Sequence, residues 1–212
     1  MNRIRPFQLA VPLACLLIVL FPQAGASELK PDYLVILNNL GVLAAQQGRF
    51  DEALVDFEEV IRADPKNTLA LGNLGDLYRQ QRRLADAQQA LERAVDINPR
   101  DPGLNYSLGM VFAQKEETDR AREYMEKAVR LRPDYPEALN NLGVLYLRLR
   151  NLDEAAKDFE QCIRAAPAFD EPYLNLARVY YLSGRRRTRS RLCACFWSGN
   201  PVMPRRVRCS SG

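Results

Sequence analysis

Histidine is missing altogether from the 212 residues. Its absence removes the Ser-His and Cys-His nucleophile systems and every histidine metal site. Long apolar runs are missing too. The longest candidate, residues 9–21, is interrupted by Pro12 and followed by Pro22, and it falls short of the roughly 20 residues that span a bilayer. Cysteine is scarce and scattered, at Cys15, Cys162, Cys193, Cys195 and Cys209. Cys-x-Cys with neither histidine nor a second pair is a poor metal motif. Carboxylates are plentiful but fall on solvated helix faces with no enclosed pair, so no catalytic residue, metal site or cofactor is nominated.

Charge of one sign is missing from the end of the chain. Residues 185–212 carry eight Arg and no acid, while Arg3 and Arg5 are the charges of residues 1–26. The overall +4 therefore conceals a −6 over residues 27–184. A mildly acidic domain argues against nucleic acid as the partner.

What is present is a period. Gly41, Gly75, Gly109 and Gly143 recur every 34 residues, as do Pro65, Pro99, Pro133 and Pro167. Leu40, Leu74, Leu108, Leu142 and Leu176 keep that interval, and so do Ala53, Ala87, Ala121 and Ala155. A fixed period of this length is the mark of a solenoid of supersecondary units. Repeats are assigned to 34–67, 68–101, 102–135 and 136–169, with a partial fifth over 170–184; positions within a repeat are called slots 1–34. Apolar spacing predicts two helices per repeat, in repeat 4 over 137–149 and 152–165. The small residues at slots 8 and 20 are expected to face each other across the hairpin, and the proline at slot 32 ends the second helix.

On these residues the chain resembles the tetratricopeptide repeat family over about 150 residues. The resemblance implies an all-α, helical-hairpin solenoid with a right-handed superhelix, about four and a half repeats long. It also implies a concave groove, lined by the first helices through slots 2, 5, 6, 9, 12 and 13, that holds a protein or peptide partner. Slot 6 carries Asn39, Asn73, Ser107, Asn141 and Asn175, which resembles the asparagine ladder of the O-GlcNAc transferase repeats. An amide both donates and accepts, so it can pair with a peptide backbone of any sequence. The alternative is that these amides cap helices or bridge neighbouring repeats. Tyr106, Arg148 and Arg178 complete the candidate peptide-binding residues, among neutral neighbours such as Asn38, Asn140, Val144 and Leu147. The first helices of repeats 1 and 3 lack Lys and Arg before Gln114, which argues against a clamp for a terminal carboxylate.

The ends carry separate expectations. Residues 1–26 have a basic start, an apolar centre and Ala24-Gly25-Ala26, the layout of a secretory signal cleaved after Ala26. The mature domain is then periplasmic or secreted, in a bacterial cell envelope, without a membrane span. The alternative is an uncleaved N-terminal anchor. After Gly184 the register puts Arg189 at slot 20, where alanine recurs. Residues 185–212 are therefore read as a basic, disordered tail, with a shifted reading frame as one origin. Helix A of the fifth repeat lacks a proper partner, which points to homo-association through that incomplete repeat. The function expected is a non-catalytic scaffold or adaptor. The alternative is the truncated repeat arm of a larger enzyme such as a glycosyltransferase.

Overall fold

A computed structural model describes residues 31–184. The expected signal segment, the basic tail and Cys15, Cys193, Cys195 and Cys209 lie outside the described residues. Among the described residues there are nine helices: α1 Pro31–Gln46, α2 Phe50–Ala63, α3 Thr68–Gln80, α4 Leu84–Ile97, α5 Pro102–Gln114, α6 Thr118–Leu131, α7 Pro136–Arg148, α8 Leu152–Ala165 and α9 Glu171–Leu182. Among the described residues no strand occurs. Repeat 4 gives the predicted second helix at its predicted bounds; its first helix begins one residue early because Pro136 occupies N1, where a proline's missing N–H is not needed.

Two units divide the chain, Met1–Ala70 and Leu71–Gly212. In the first, α1 packs on α2 around Leu37, Val60 and Ala70, with Tyr33, Leu34 and Ile61 against them. In the second, α5 pairs with α6 and α7 with α8 as hairpins, and each hairpin packs on the next: α4 on α5, α6 on α7, α8 on α9. The core between the last two repeats gathers Leu147, Ala156, Phe159, Leu176, Val179 and Tyr180.

Glycine at slot 8 is required by close approach. A Cβ on Gly143 would stand 2.7 Å from the Phe159 ring, and one on Gly75 2.5 Å from Leu91. The facing residue is thus the large side chain at slot 24, not the alanine at slot 20 as the spacing suggested. At Gly109 slot 20 is close as well, through the Ala121 carbonyl at 3.3 Å, while Met125 is closer at 2.9 Å. The slot-20 alanines are themselves fully buried. Small residues at both slots let the helices approach; a ring or branched chain then fills the gap left by the glycine.

Each of the four described turns from first to second helix uses a left-handed residue at slot 15. Gly48, Arg82, Glu116 and Arg150 have φ of 76°, 62°, 63° and 62°, and Gly184 at the same slot after α9 has φ of 74°. The following N–H reaches back to the carbonyl five residues earlier, as Arg83 to Tyr78 and Asn151 to Tyr146, both at 2.9 Å. This is the helix-ending pattern that satisfies otherwise orphaned carbonyls. Acidic residues open the second helices, Asp51-Glu52 and Asp153-Glu154, where negative charge favours the helix dipole.

Candidate functional site

Three slot-6 side chains of the second unit reach back to the preceding repeat. Asn141 Nδ2 donates to the Tyr106 hydroxyl at 2.7 Å, and Asn175 Nδ2 donates to Asn140 Oδ1 at 3.2 Å. Ser107 Oγ donates to Asp76 Oδ2 at 2.9 Å, and Asp76 in turn pairs with Arg79 at 3.1 Å. The bridging alternative raised for the ladder is therefore real for Asn141, Asn175 and Ser107. It does not exhaust the amides, because an amide offers two donors and an acceptor. Each of these two half-buried asparagines keeps one N–H and its carbonyl oxygen beyond the bridge. Asn73 is half-buried in the second unit, and Asn39 is exposed in the first.

Around Asn141 the face is aromatic. The Tyr106 and Tyr135 rings lie 5.1 Å apart and tilted by 53°, a favoured edge geometry. The Arg132 guanidinium stacks 3.5 Å from the centre of the Tyr135 ring. Burial pushes the Tyr135 hydroxyl up to about 12 and raises that of Tyr106 as well, so both remain neutral donors. Arg148 and Arg178 are exposed, and among the described residues neither takes part in an ion pair.

Three neighbours that the sequence placed on this face are not on it. Asn38, Asn140 and Leu147 are buried. In repeat 4, slots 5 and 12 of α7 are turned toward α9, so Asn140 serves as the acceptor under Asn175 and Leu147 joins the core that holds Val179 and Tyr180. The face is accordingly more polar than the sequence suggested.

Sequence reasoning also missed a second set of bridges, from tyrosines at slot 11 to glutamates at slot 25 of the preceding repeat. Tyr146 Oη donates to Glu126 Oε1 at 2.7 Å, and Tyr180 Oη donates to Glu160 Oε1 at 2.5 Å. The 34-residue period held the signal: Tyr146 and Tyr180 share a slot, as do Glu126 and Glu160. Cys162 is buried as expected for slot 27; its Sγ–H donates to the Pro136 carbonyl at 3.1 Å, and burial pushes the thiol up to about 11. It is a core residue.

Stacked helical hairpins with bridging slot-6 amides define an all-α repeat scaffold, a fold used for protein interaction. The sequence profile of the tetratricopeptide repeat matches residues 38–102, 106–169 and 140–185, and the chain belongs to that family. Solved structures agree. MamA is 25% identical, over 78% of this chain and 90% of that chain, with a TM-score of 0.68. PilF of Pseudomonas aeruginosa is 18% identical over 80% of this chain and 78% of that chain, with a TM-score of 0.73. YrrB, described as a TPR protein with an unusual peptide-binding site, is 21% identical over 78% of this chain and 86% of that chain, with a TM-score of 0.63. No curated protein matches the sequence. Among the described residues no helix is long and apolar enough to cross a membrane.

Proposed function

We propose that this chain is a non-catalytic adaptor that holds an extended peptide segment of a partner protein along the first-helix face of its second unit. The observation that carries the reading is the pair of Asn141 and Asn175. Their inter-repeat hydrogen bonds fix the amides in place, so one N–H and one carbonyl per rung are oriented before the partner arrives. Adjacent helices stack roughly 8–10 Å apart, and an extended chain rises about 3.3 Å per residue. A rung therefore meets the peptide backbone about every third residue. Tyr106 offers a flat apolar contact beside the first rung, while Arg148 and Arg178 supply cations for acidic side chains of the peptide. Asn73 extends the ladder; Asn39 belongs to the same series in the first unit.

The same reading takes the protein to the periplasm or the cell exterior. Its support is the basic, apolar and small-residue layout of residues 1–26, ending at Ala26. The partner is then a cell-envelope or secreted protein.

Selection of binders from a displayed peptide library tests the groove. The full chain should enrich peptides that an Asn141→Ala, Asn175→Ala variant binds at least tenfold more weakly, since a net hydrogen bond of about 1–1.5 kcal/mol is worth roughly that factor. A reference variant, Lys157→Ala, removes an exposed residue of α8 and should leave affinity unchanged. Equal affinity for all three proteins removes the rung proposal.

A further inference from the structure

Four charges of the second unit are left unneutralised. Glu137 and Arg148 of α7 and Glu171 and Arg178 of α9 are exposed, and among the described residues none takes part in an ion pair. They share a stripe with the amides. Glu137, Asn141, Val144 and Arg148 follow at i, i+4, i+7 and i+11, which is one face of a helix. Glu171, Asn175 and Arg178 follow at i, i+4 and i+7 on α9. Each bridged amide thus has a carboxylate toward the N-terminal end of its helix and a guanidinium toward the C-terminal end. Along the axis the carboxylate lies about 6 Å from the amide on one side, and the arginine about 5 to 10 Å on the other.

The two helices run in the same sense. Slot 6 of repeat 5 bonds to slot 5 of repeat 4 through Asn175 and Asn140. Slot 12 of repeat 4, Leu147, shares a core with slots 10 and 11 of repeat 5, Val179 and Tyr180. Like charges are therefore brought to the same edge. Cys162 marks the acidic one: its thiol bonds the Pro136 carbonyl at the start of α7, and after burial the charges of Glu137 and Glu171 both oppose its ionisation. The face of repeats 4 and 5 is an acidic edge, a row of amides and a basic edge. On α5 the corresponding stripe, Gly103, Ser107, Met110 and Gln114, carries no charge. Acid in a first turn and base in a last turn also suit the helix dipole. The dipole does not account for Arg178, which is not in the last turn of α9, nor for the choice of the stripe that carries the amides.

An extended chain that turns its backbone N–H and C=O groups down to the rungs has its side chains pointing sideways. Successive residues of a strand face opposite ways, so the side chains reach the two edges by turns. We propose, resting on the peptide-groove reading above, that repeats 4 and 5 select an extended segment in which basic and acidic side chains alternate. The basic ones reach Glu137 and Glu171, and the acidic ones reach Arg148 and Arg178. Opposite charges in the ligand then sit an odd number of residues apart, and like charges an even number. A segment of the same composition with its charges in blocks turns part of them to an edge of their own sign. Selection acts on the order of charges rather than on net charge.

Fluorescence anisotropy of the full chain with three labelled peptides of equal length tests this. The first alternates Lys and Glu, the second is its block isomer with all Lys before all Glu, and the third alternates Gln and Ser. The alternating peptide should bind at least about fivefold more tightly than its block isomer, as two or more exposed ion pairs together supply. Salt should shrink the difference. A Glu137→Arg, Glu171→Arg variant, with both edges basic, should lose the preference. Adding Arg148→Glu and Arg178→Glu exchanges the edges and should restore it, because the alternating peptide fits again after a shift of one residue. Charges that served only their own helices would not return an order preference on exchange. The milder Glu137→Gln, Glu171→Gln variant should lose most of the preference with an unchanged circular dichroism spectrum. The neutral peptide reads the groove alone: its binding should depend on Asn141 and Asn175 and not on the four charges. Equal affinity for the alternating and block peptides, or a preference that exchange does not restore, overturns the proposal; the groove reading then stands if the neutral peptide still binds through the amides. Binding of none of the three overturns both.

Discussion

Asp158, at slot 23 of α8, is buried, and its Oδ2 has no hydrogen-bond partner. Burial pushes its carboxyl up to about 7; Glu154 and Glu126 add to the rise and Lys157 opposes it. Asp56, in the same slot of α2, is pushed up to about 6, again chiefly by burial. Both groups bind a proton more tightly folded than unfolded, where an aspartate titrates near about 4. Stability they contribute is full below that pH and is lost as pH rises through about 6 and about 7. Asp158→Asn should flatten the dependence of Tm on pH between about 4 and 7. At pH 8 it should raise Tm by roughly 2–4 °C, the shift that about 1 kcal/mol produces in a chain of this size. A thermal melt series by circular dichroism checks both; parallel curves for variant and wild type would contradict the assignment. None of this was legible in the sequence. Helical periodicity marks Asp158 as off the apolar face, but not how far the neighbouring Tyr146–Glu126 bridge overlaps the polar edge. The asparagines were half legible for a related reason. Their recurrence exposed the ladder, whereas the acceptors beneath them, Tyr106 and Asn140, depend on the stacking of one repeat on another.

The helices themselves were the most readable feature, because glycine, alanine and proline each act through bulk or backbone at a fixed slot. The turn between helices was less readable. Its left-handed residue is glycine at Gly48 but Arg82, Glu116 and Arg150 in the repeats that follow. A side chain in that conformation costs roughly 1–2 kcal/mol, and the extra entropy glycine loses on folding offsets part of the relief. Arg82→Gly, Glu116→Gly and Arg150→Gly should each stabilise the fold by up to about 1 kcal/mol. Gly48→Ala should destabilise it by a similar amount. Urea denaturation at constant m-value measures the differences. Substitutions that leave the midpoint unmoved would mean these turns relax in solution. The same identity of letters hid a difference in exposure. Leu40 reads like Leu108 or Leu142, yet it is exposed while they are buried. A residue's slot fixes the direction its side chain takes; only the presence of a neighbour decides whether that side chain is covered.

At the scale of the whole chain, stability in such a repeat protein comes from nearest-neighbour contacts rather than from one central core. That arrangement makes the first-helix face of the second unit available without any rearrangement of the fold. Bridged amides, paired tyrosines and exposed arginines recur there, while the second helices carry most of the surface ion pairs. Surface pairs of that kind contribute little to stability, and their dense self-pairing leaves few charges for a ligand. The period and the hairpins could be read from the residues alone. The polarity of the face could not, because burial at slots 5 and 12 follows from the packing of consecutive first helices. Site-specific photo-crosslinking in cells, with the reactive side chain at position 148 or 178 and, for comparison, at position 93 or 157, tests most directly where the partner sits. The first pair should capture one or a few proteins through an extended segment, and the second pair should capture none of them. Capture of the same proteins from positions 93 and 157, with none from 148 and 178, would contradict the account.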